Sequence, residues 1–452
     1  MAFISFEFIV FFFIVLSGSL LIQKHYDRKA FVSFLFVCNC WFYFSWDWRF
    51  GFLLLLLIFC TYHCAIRSEK RGWNTVGICI TLLMLAVFKY FDFFLEPSAK
   101  EKYGLLLPLG ISFYSFEIVS YLADIRRKRI KAEEDFLYYA AYISFFPNIS
   151  CGPIARANEL LKQLKNGKRI RYEDIEAGMQ IMAIGVFKKM VIADRLGVFV
   201  NDVFTFPKAF HWASILLAVV SYSIQIYMDF SGYSDIAIGI ARCLGISFSR
   251  NFDLPYISKS VTEFWRRWHI SLSAWFRDYV YIPLGGNRTG KIKQYVNLLT
   301  VMILSGVWHG VGPTYLLWGL FNGMILCGEK MLGLNDKKGN PFRTVLTFLV
   351  ISLTWVFFKA QDVTSAIALI YGMISLQKGI FQMYSWSFFS IVVIVVCETI
   401  CIIKNKDSDA VHGFYPLQDL RTVKGLTFFL IFIGLIISLA YTSVSPFVYI
   451  GF

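Results

Sequence analysis

The stretch "WRRWHISLSAWFRDY" (residues 265–279) places three arginines, one histidine and one aspartate among large aromatic rings. The windows 212–230 and 294–308 on either side of it are almost wholly apolar. Ionisable side chains at membrane depth are costly unless they pair with one another or face a water-filled cavity. This block therefore indicates a polar functional region inside a membrane protein.

Composition defines the class of protein. Of the 452 residues, 57% are hydrophobic and 16% are charged, a balance that would leave a soluble domain with large exposed apolar patches. Many apolar windows, including 136–152 and 212–230, have about the length that crosses a bilayer. They lack the alternation of apolar and polar residues that is typical of a barrel. We predict an all-α, polytopic transmembrane bundle, with residues 1–452 forming one integral membrane domain.

Basic loops suggest an orientation. The first apolar span follows a start without Lys or Arg, so we expect a retained helix rather than a signal peptide, with the N-terminus outside. The basic loops "KHYDRK" (24–29), "RSEKR" (67–71) and "RRKRIK" (126–131) then face the cytoplasm. We attribute the net charge of +14 to such loops, which can attract an anionic donor or lipid headgroups, and we expect no nucleic-acid partner.

Two zones are less hydrophobic than the rest. Residues 153–175 predict an amphipathic helix followed by a loop. Residues 231–293 contain glycine and proline clusters in "FSGYSD", "DLPY" and "IPLGGNRTGK". Backbone broken in this way is tolerated at membrane depth only where protein buries it or where it lines a watery cavity. We therefore expect the 212–230 span to end at "FSGYSD".

The opening block fits an α-helix with two faces. One stripe would carry Trp265, Trp268 and Trp275, and the neighbouring face would carry polar residues at three- and four-residue steps, namely Arg266, His269 and Ser273. A tilted interfacial helix with an aromatic belt and snorkelling arginines is the alternative. The rigid turn residues of the following "IPLGGNR" favour a polar pocket lined by aromatic side chains.

A second histidine has an unusual setting. His309 lies in "ILSGVWHGVGP", at the end of an apolar run and before a glycine–proline break. A neutral imidazole can take a proton from a hydroxyl group as its oxygen attacks a carbonyl carbon. Gly306 and Gly310 would leave room for a substrate chain beside the ring. The alternative is a histidine that only satisfies carbonyl groups at a helix end.

Other chemistries lack sequence support. The chain has no G-x-S-x-G elbow, P-loop or G-x-G-x-x-G motif, so hydrolase, ATPase and dinucleotide-binding functions are not indicated. Cys38 and Cys40 form a C-x-C pair without a second half, so we predict no metal site. A glycan flippase or transporter, with the polar block lining a conduit, is the rival interpretation from another class.

Several motifs resemble one family. "WRRWHISLSAWFRDYVYIPLGGNR", "LSGVWHG" and "LLWGLFNG" resemble the membrane-bound O-acyltransferase (MBOAT) superfamily, and within it the bacterial alginate and peptidoglycan O-acetyltransferase branch (AlgI/PatA-like). Segments 108–127, 145–156 and 228–246 are similar to that branch too. The matching motifs follow in order over about residues 100–325. The relative DltB, which transfers D-alanine, shares the "WHISLS" and "WFRDY" core.

The resemblance implies a fold and a set of site residues. It implies a helical body with a central funnel or tunnel, His309 as the catalytic histidine and His269 as a second conserved polar position. We expect the remaining charged residues of the block to shape the tunnel and its charge around the donor, namely Arg266, Arg267, Arg277 and Asp278. In "LLWGLFNG", Asn322 occupies a position that is often histidine in the family, and an amide cannot act as a general base.

The resemblance also implies a reaction. An acetyl group from a cytoplasmic donor, acetyl-CoA, would cross the bacterial cytoplasmic (inner) membrane for O-acetylation of an envelope polysaccharide such as peptidoglycan or alginate, without a permanently bound cofactor. A separate extracytoplasmic acetyltransferase would modify the glycan. The tail 446–452 resembles the F-x-Y-x-x-F ending of this branch, which suggests Tyr449 as an acyl relay; an interfacial anchor is the alternative. D-alanyl transfer as in DltB remains open.

Overall fold

The protein is helical throughout the part that the structure describes. This computed structural model describes residues 3–70, 72–95, 107–149, 152–288, 290–334, 340–404 and 418–441. Within these ranges no residue belongs to a β-strand, and one isolated bridge joins Phe210 to Ile380. The predicted all-α fold is confirmed. The single-domain assignment and the central tunnel stay predictions.

The α-helices are numbered here in chain order. They are α1 Phe6–His25, α2 Arg28–Phe44, α3 Trp48–Ile66, α4 Trp73–Tyr90, α5 Ile111–Arg126, α6 Phe136–Ile143, α7 Phe146–Ile149, α8 Ala157–Asn166, α9 Tyr172–Val186, α10 Asp194–Thr205, α11 Trp212–Cys243, α12 Val261–Arg267, α13 Ile270–Phe276, α14 Lys291–His309, α15 Pro313–Met331, α16 Pro341–Lys359, α17 Val363–Ile374, α18 Ser385–Lys404 and α19 Val423–Leu439. Two segments, Phe187–Ala193 and Arg277–Tyr281, are π-helical.

Five of the described helices are long and apolar enough to cross a membrane: α1, α3, α4, α11 and α16. Their surfaces agree with this role, because helix α1 exposes large apolar side chains such as Phe6, Ile9 and Phe13. Exposed aromatic and aliphatic side chains on this scale would not be stable against water. The chain is a multi-pass membrane protein.

The chain packs as two compact units. Unit 1 comprises Met1–Ile184 and Tyr233–Arg250, and unit 2 comprises Gly185–Gly232 and Asn251–Phe452. In unit 1, the buried carboxylate of Glu117 accepts hydrogen bonds from the Asn148 side chain and from the Ala155 backbone N–H. A carboxylate of helix α5 therefore holds the segment that follows α7 in place.

The apolar window 136–152 does not form one span. Helix α6 ends at Ile143 and the short helix α7 begins at Phe146, with buried Asn39 between them. The Asn39 side chain donates to Ser144 Oγ over 3.3 Å and accepts from the Phe146 N–H over 3.2 Å. Because this amide satisfies polar groups at the break, the helix can stop inside an apolar environment. The predicted span is wrong here.

The amphipathic helix predicted within 153–175 is present as α8. It buries Leu160, Leu161 and Leu164 on one face, as expected for apolar residues at helical spacing. On another face, the Lys165 ammonium pairs with the Glu133 carboxylate over 2.9 Å. This ion pair raises the pKa of Lys165.

Helix α11 is longer than the sequence suggests. We expected the span 212–230 to end at "FSGYSD", but the helix continues without a break to Cys243. Within unit 2, a Cβ on Gly232 would lie 2.8 Å from the Gly185 carbonyl oxygen, and within unit 1 a Cβ on Gly239 would lie 2.6 Å from the Gly178 carbonyl oxygen. These glycines therefore allow backbones to pack closely, and they do not break the helix.

Unit 2 contains a buried ion network. The Lys189 ammonium, on the π-helical segment, lies 2.7 Å from Asp194 Oδ1 and 2.7 Å from Asp229 Oδ1, and all three side chains are buried. Removing one partner from such a network leaves the desolvated charge of the others uncompensated. The network thus ties the start of α10 to the middle of α11.

Replacing Lys189 by methionine tests this network. Methionine keeps most of the length of the side chain but removes the ammonium that Asp194 and Asp229 share. We expect a loss of folding stability of about 3–5 kcal/mol, seen as a large fall in the thermal unfolding midpoint of the detergent-solubilised protein.

The matched control is Lys29→Met. Lys29 pairs with Asp135 over 2.8 Å, but the two side chains are 60% and 32% exposed. Exposed pairs contribute about 0–1 kcal/mol, so this variant should unfold near the parent's midpoint. Equal shifts for both lysines would contradict the role assigned to the buried network.

Candidate functional site

The opening block folds as two helices and not as one. Helices α12 and α13 are separated by Trp268 and His269, and His269 has φ 46° and ψ 56°, in the left-handed region. The continuous helix predicted across these residues is therefore wrong. A non-glycine residue in this conformation costs roughly 1–2 kcal/mol, so the surrounding structure must hold it there.

Asn251 holds this turn. Its backbone carbonyl accepts from the Ile270 N–H over 2.9 Å. Its side-chain Oδ1 accepts from the Ser271 N–H over 3.2 Å and from Ser271 Oγ over 2.7 Å. The first N–H groups of a helix have no partner within the helix, and the His269 side chain does not cap α13. Asn251 therefore supplies the cap from a distant segment and fixes the orientation of His269.

A carboxylate caps the other short helix. Glu329, near the end of α15, accepts from the Val261 N–H over 2.7 Å and from the Thr262 N–H over 2.9 Å. The Thr262 hydroxyl donates to the same carboxylate over 2.9 Å. Negative charge at a helix N-terminus is stabilising because the N–H groups there carry positive partial charge. Glu329 thus fixes α12, which carries Arg266.

The His269 ring is enclosed by aromatic side chains. It is 2% exposed, and its centroid lies 4.6 Å from that of Phe230, which meets it edge-on at 88°. Neither ring nitrogen has a hydrogen-bond partner among the described residues. Burial lowers the pKa of His269 to about 3, so the imidazole is neutral at physiological pH.

His309 is the last residue of helix α14 and is 4% exposed. Its ring packs edge-to-face against Trp318 at 5.2 Å and against Phe358 at 5.0 Å. The Trp308 ring lies 4.5 Å from that of His309 and 6.4 Å from that of His269. Aromatic packing therefore restricts the motion of both imidazoles, and the Trp308 ring lies next to both of them.

The glycines beside His309 serve packing instead of substrate access. A Cβ on Gly306 would lie 2.4 Å from the Tyr315 carbonyl oxygen, and a Cβ on Gly310 would lie 2.3 Å from the Tyr315 ring. The space that we expected a substrate chain to use is therefore filled by Tyr315. The glycines let α14 and α15 approach closely, which brings Trp318 against His309.

His269 and His309 line one cavity of about 290 Å³. Its wall is mainly apolar and includes Leu272, Leu298, Val301, Met302 and Leu326. Polar and basic side chains also line it, namely Thr262, Arg266, Ser273, Arg277, Tyr281, Ser305 and Lys330. Apolar walls with a few convergent polar groups are typical of a small-molecule site. Trp265, Trp268 and Phe276 line the cavity too, so it has the aromatic lining expected from the sequence, but its wall is more apolar than expected.

The predicted charged residues separate into two groups. Arg266 and Arg277 line the cavity, and Arg277 Nε lies 2.9 Å from Asp278 Oδ1. Arg267 instead forms salt bridges with Glu263 over 3.0 Å and with Asp253 over 3.5 Å, and it is not among the described residues that line the cavity. Arg267 thus supports the turn before His269.

The other predicted site residues are Tyr449, Asn322 and the two histidines. Tyr449 and the tail 446–452 lie outside the described residues. Asn322 is buried, and its side chain donates to the Trp318 carbonyl over 2.9 Å, which is a structural role. The catalytic roles of His309 and His269 stay predictions, although the structure brings the two rings to one cavity.

Sequence reasoning missed three residues that line or support the site, namely Asn251, Glu329 and Lys330. No motif marked Lys330, or Asn251 within the zone 231–293. Glu329 could have been noticed, because "GEK" places a carboxylate at the end of an apolar helix, where an acidic group needs a partner. Its actual partner, the start of α12, could not be inferred without the fold.

Comparison with known proteins assigns the family. The family model "MBOAT, membrane-bound O-acyltransferase family" matches residues 26–335. A Pseudomonas putida protein named "Probable alginate O-acetylase AlgI" is 40% identical over 317 residues, covering 68% of this chain and 65% of the relative. The Helicobacter pylori "Peptidoglycan O-acetyltransferase" is 36% identical over 347 residues, covering 69% of this chain and 66% of the relative.

A third relative is more distant. The Bacillus subtilis "Teichoic acid D-alanyltransferase" is 31% identical over 306 residues, covering 64% of this chain and 77% of the relative. This chain spans 59% of the AlgI relative from Pseudomonas syringae and 65% of that from Pseudomonas putida. Since the family match includes both cavity histidines and most of the chain, the protein belongs to the membrane-bound O-acyltransferase family.

Proposed function

We propose that this protein is a membrane O-acetyltransferase subunit. It transfers an acetyl group from a cytoplasmic thioester donor, acetyl-CoA, across the bacterial inner membrane for O-acetylation of an envelope polysaccharide such as peptidoglycan or alginate. The observation that supports this most directly is the cavity that both His269 and His309 line. The names of the more similar relatives, which are O-acetylases of alginate and of peptidoglycan, support the acetyl group and the class of acceptor.

In this mechanism His309 is the general base. Its neutral imidazole takes the proton of an acceptor hydroxyl as that oxygen attacks the thioester carbon. The new C–O bond forms, the C–S bond breaks, and the proton passes from the imidazolium to the leaving thiolate. Atoms and charge therefore balance without a further reactant. The rings of Trp318 and Phe358 hold His309 in a fixed orientation for this transfer.

His269 has a different role. A neutral imidazole carries one N–H, and at this position it donates a hydrogen bond to the thioester carbonyl oxygen as negative charge develops there. Arg266, Arg277 and Lys330 supply positive charge for an anionic donor and its thiolate. The apolar part of the wall, which includes Met302 and Leu326, excludes water that would hydrolyse the thioester.

The rest of the pathway is part of the same proposal. An extracytoplasmic acetyltransferase partner receives the acetyl group and modifies the glycan. Tyr449, outside the described residues, is the proposed relay, because a phenol with a pKa near 10 is a good leaving group. D-alanyl transfer and glycan transport are distinguished from this reaction by one measurement, since only acetyl transfer releases free CoA from acetyl-CoA.

Replacing His309 by alanine should remove activity. We expect release of CoA from labelled acetyl-CoA, in vesicles that contain the protein and an acceptor, to fall about 10²- to 10⁴-fold, as for loss of a general base. The matched control is His63→Ala. His63 lies in helix α3 of unit 1, outside the residues that line the cavity.

The amount of His309→Ala protein in the membrane should equal that of the parent, so that lost activity reports chemistry and not folding. Parent-like CoA release by this variant would remove His309 from the mechanism. If the parent released no CoA but its host wall carried D-alanyl esters, the donor assignment would be wrong.

A pair of substitutions at His269 separates hydrogen bonding from packing. Glutamine keeps an N–H donor and alanine does not, so we expect His269→Ala to lose about 10²- to 10³-fold in rate and His269→Gln to lose less. Equal rates for the two variants would contradict the donor role.

The same residue predicts a pH dependence of stability. The pKa of His269 falls from an ordinary 6.5 to about 3 in the folded protein. The unfolded chain therefore binds more protons between these values. Burying the neutral His269 ring contributes to the free energy of unfolding. This contribution is fully present above about pH 6.5 and is lost as the pH falls toward 3. The thermal midpoint of His269→Gln should fall less between pH 7 and pH 4.5 than that of the parent. Equal falls in both proteins would contradict this assignment.

A further inference from the structure

A second large cavity lies wholly within unit 1. It has a volume of about 990 Å³ and is formed by the α3–α4 connection and by the turn after α5. Among the described residues, four basic side chains line it, namely Arg126, Lys128, Arg129 and Lys131. Two carboxylates, Glu69 and Glu134, line it as well, so positive charge is in excess. We call this cavity the basic cleft.

The turn that carries these cations has a defined shape. Lys128 has φ 57°, in the left-handed region. Its N–H donates to the Ile125 carbonyl over 2.8 Å, and the Arg129 N–H donates to the Asp124 carbonyl over 2.9 Å. This is the hydrogen-bond pattern that ends a helix, and glycine usually occupies the left-handed position. A lysine there is strained, and strained residues of this kind cluster at functional sites.

The start of helix α4 also lines the basic cleft. The cap residue Gly72 provides no side-chain hydrogen bond, and Gly72, Asn74 and Thr75 all line the cleft. The first turn of an 18-residue helix therefore lines the same cleft as the four cations. Helix N-termini of this kind favour anions, and phosphate in particular.

Asn74 provides an independent indication of a ligand. Its side chain lines the basic cleft, the residue is only 6% exposed, and its Oδ1 has no hydrogen-bond partner among the described residues. A buried amide oxygen without a partner costs about 1–3 kcal/mol. A ligand that carries a hydroxyl group beside its anionic oxygens would satisfy this amide and the cations together.

We propose that the basic cleft is a binding site for a phosphate ester that also carries a hydroxyl group. Two sources share this chemistry, namely the headgroup of an anionic phospholipid such as phosphatidylglycerol, and a soluble nucleotide. Both would reach the cleft from the cytoplasm, where loops rich in Lys and Arg are retained. The site is separate from the cavity that His269 and His309 line, whose described lining residues all belong to unit 2.

The test variant is Lys128→Gly combined with Lys131→Gln. Neither lysine uses its side chain in a hydrogen bond or salt bridge that the described residues show. Glycine prefers the left-handed conformation, so the first change removes a cation and relieves strain in the same step. We expect the double variant to unfold no earlier than the parent, which separates binding from folding.

Two binding measurements distinguish the sources, both on the full chain. In detergent, equilibrium binding of radiolabelled adenosine 3′,5′-bisphosphate reports a soluble phosphate ester. In nanodiscs, the selectivity of spin-labelled phosphatidylglycerol over phosphatidylcholine reports a lipid headgroup. Saturable binding in either arm supports the site, and the double variant should lower the affinity in that arm by about tenfold.

The matched control is Lys162→Gln combined with Lys168→Gln. These exposed lysines also belong to unit 1 but are not among the described residues that line the basic cleft, so the variant loses the same charge elsewhere. It should change the affinity less than twofold. The inference is overturned if neither arm shows saturable binding, or if the control loses as much affinity as the test variant. No arm measures acyl transfer, so failure here is distinguishable from failure of the proposed function.

Discussion

The site depends on the hydrogen bonds that Asn251 makes to Ile270 and Ser271. They let the chain turn through a left-handed residue at His269, and they satisfy N–H groups that would otherwise be buried without partners. Without this cap, the block would favour the straight helix that its residue pattern suggests. One distant asparagine therefore decides where the second imidazole lies.

The same physical rule explains the polar residues elsewhere in the chain. A membrane protein cannot rely on water to satisfy buried groups, so buried charges need partners within the protein. Buried Lys189 pairs with two aspartates, and buried Glu117 accepts hydrogen bonds from an amide and a backbone N–H. The half-buried carboxylate of Glu329 accepts hydrogen bonds from the start of α12. These contacts join segments that are far apart in the sequence, which gives the helices a unique arrangement as well as stability.

In the cavity that His269 and His309 line, the wall is mainly apolar. A low-dielectric site strengthens hydrogen bonds, and burial keeps His269 uncharged. The cations lie among the same lining residues, at Arg266, Arg277 and Lys330. The segment that matches the family model, residues 26–335, contains all of these positions. Chemistry and comparison thus point to the same part of the chain.

The sequence by itself determined the helical class, the membrane setting, the family and the two histidines, because these follow from apolar windows and from local motifs. It did not determine the end of α6, the continuation of α11 or the turn at His269. In each case a contact decided the local structure: Asn39 at a helix break, close glycine packing along α11, and Asn251 at the turn. Such contacts join residues that are distant in the chain, so tertiary structure overrides a local pattern that is compatible with either outcome.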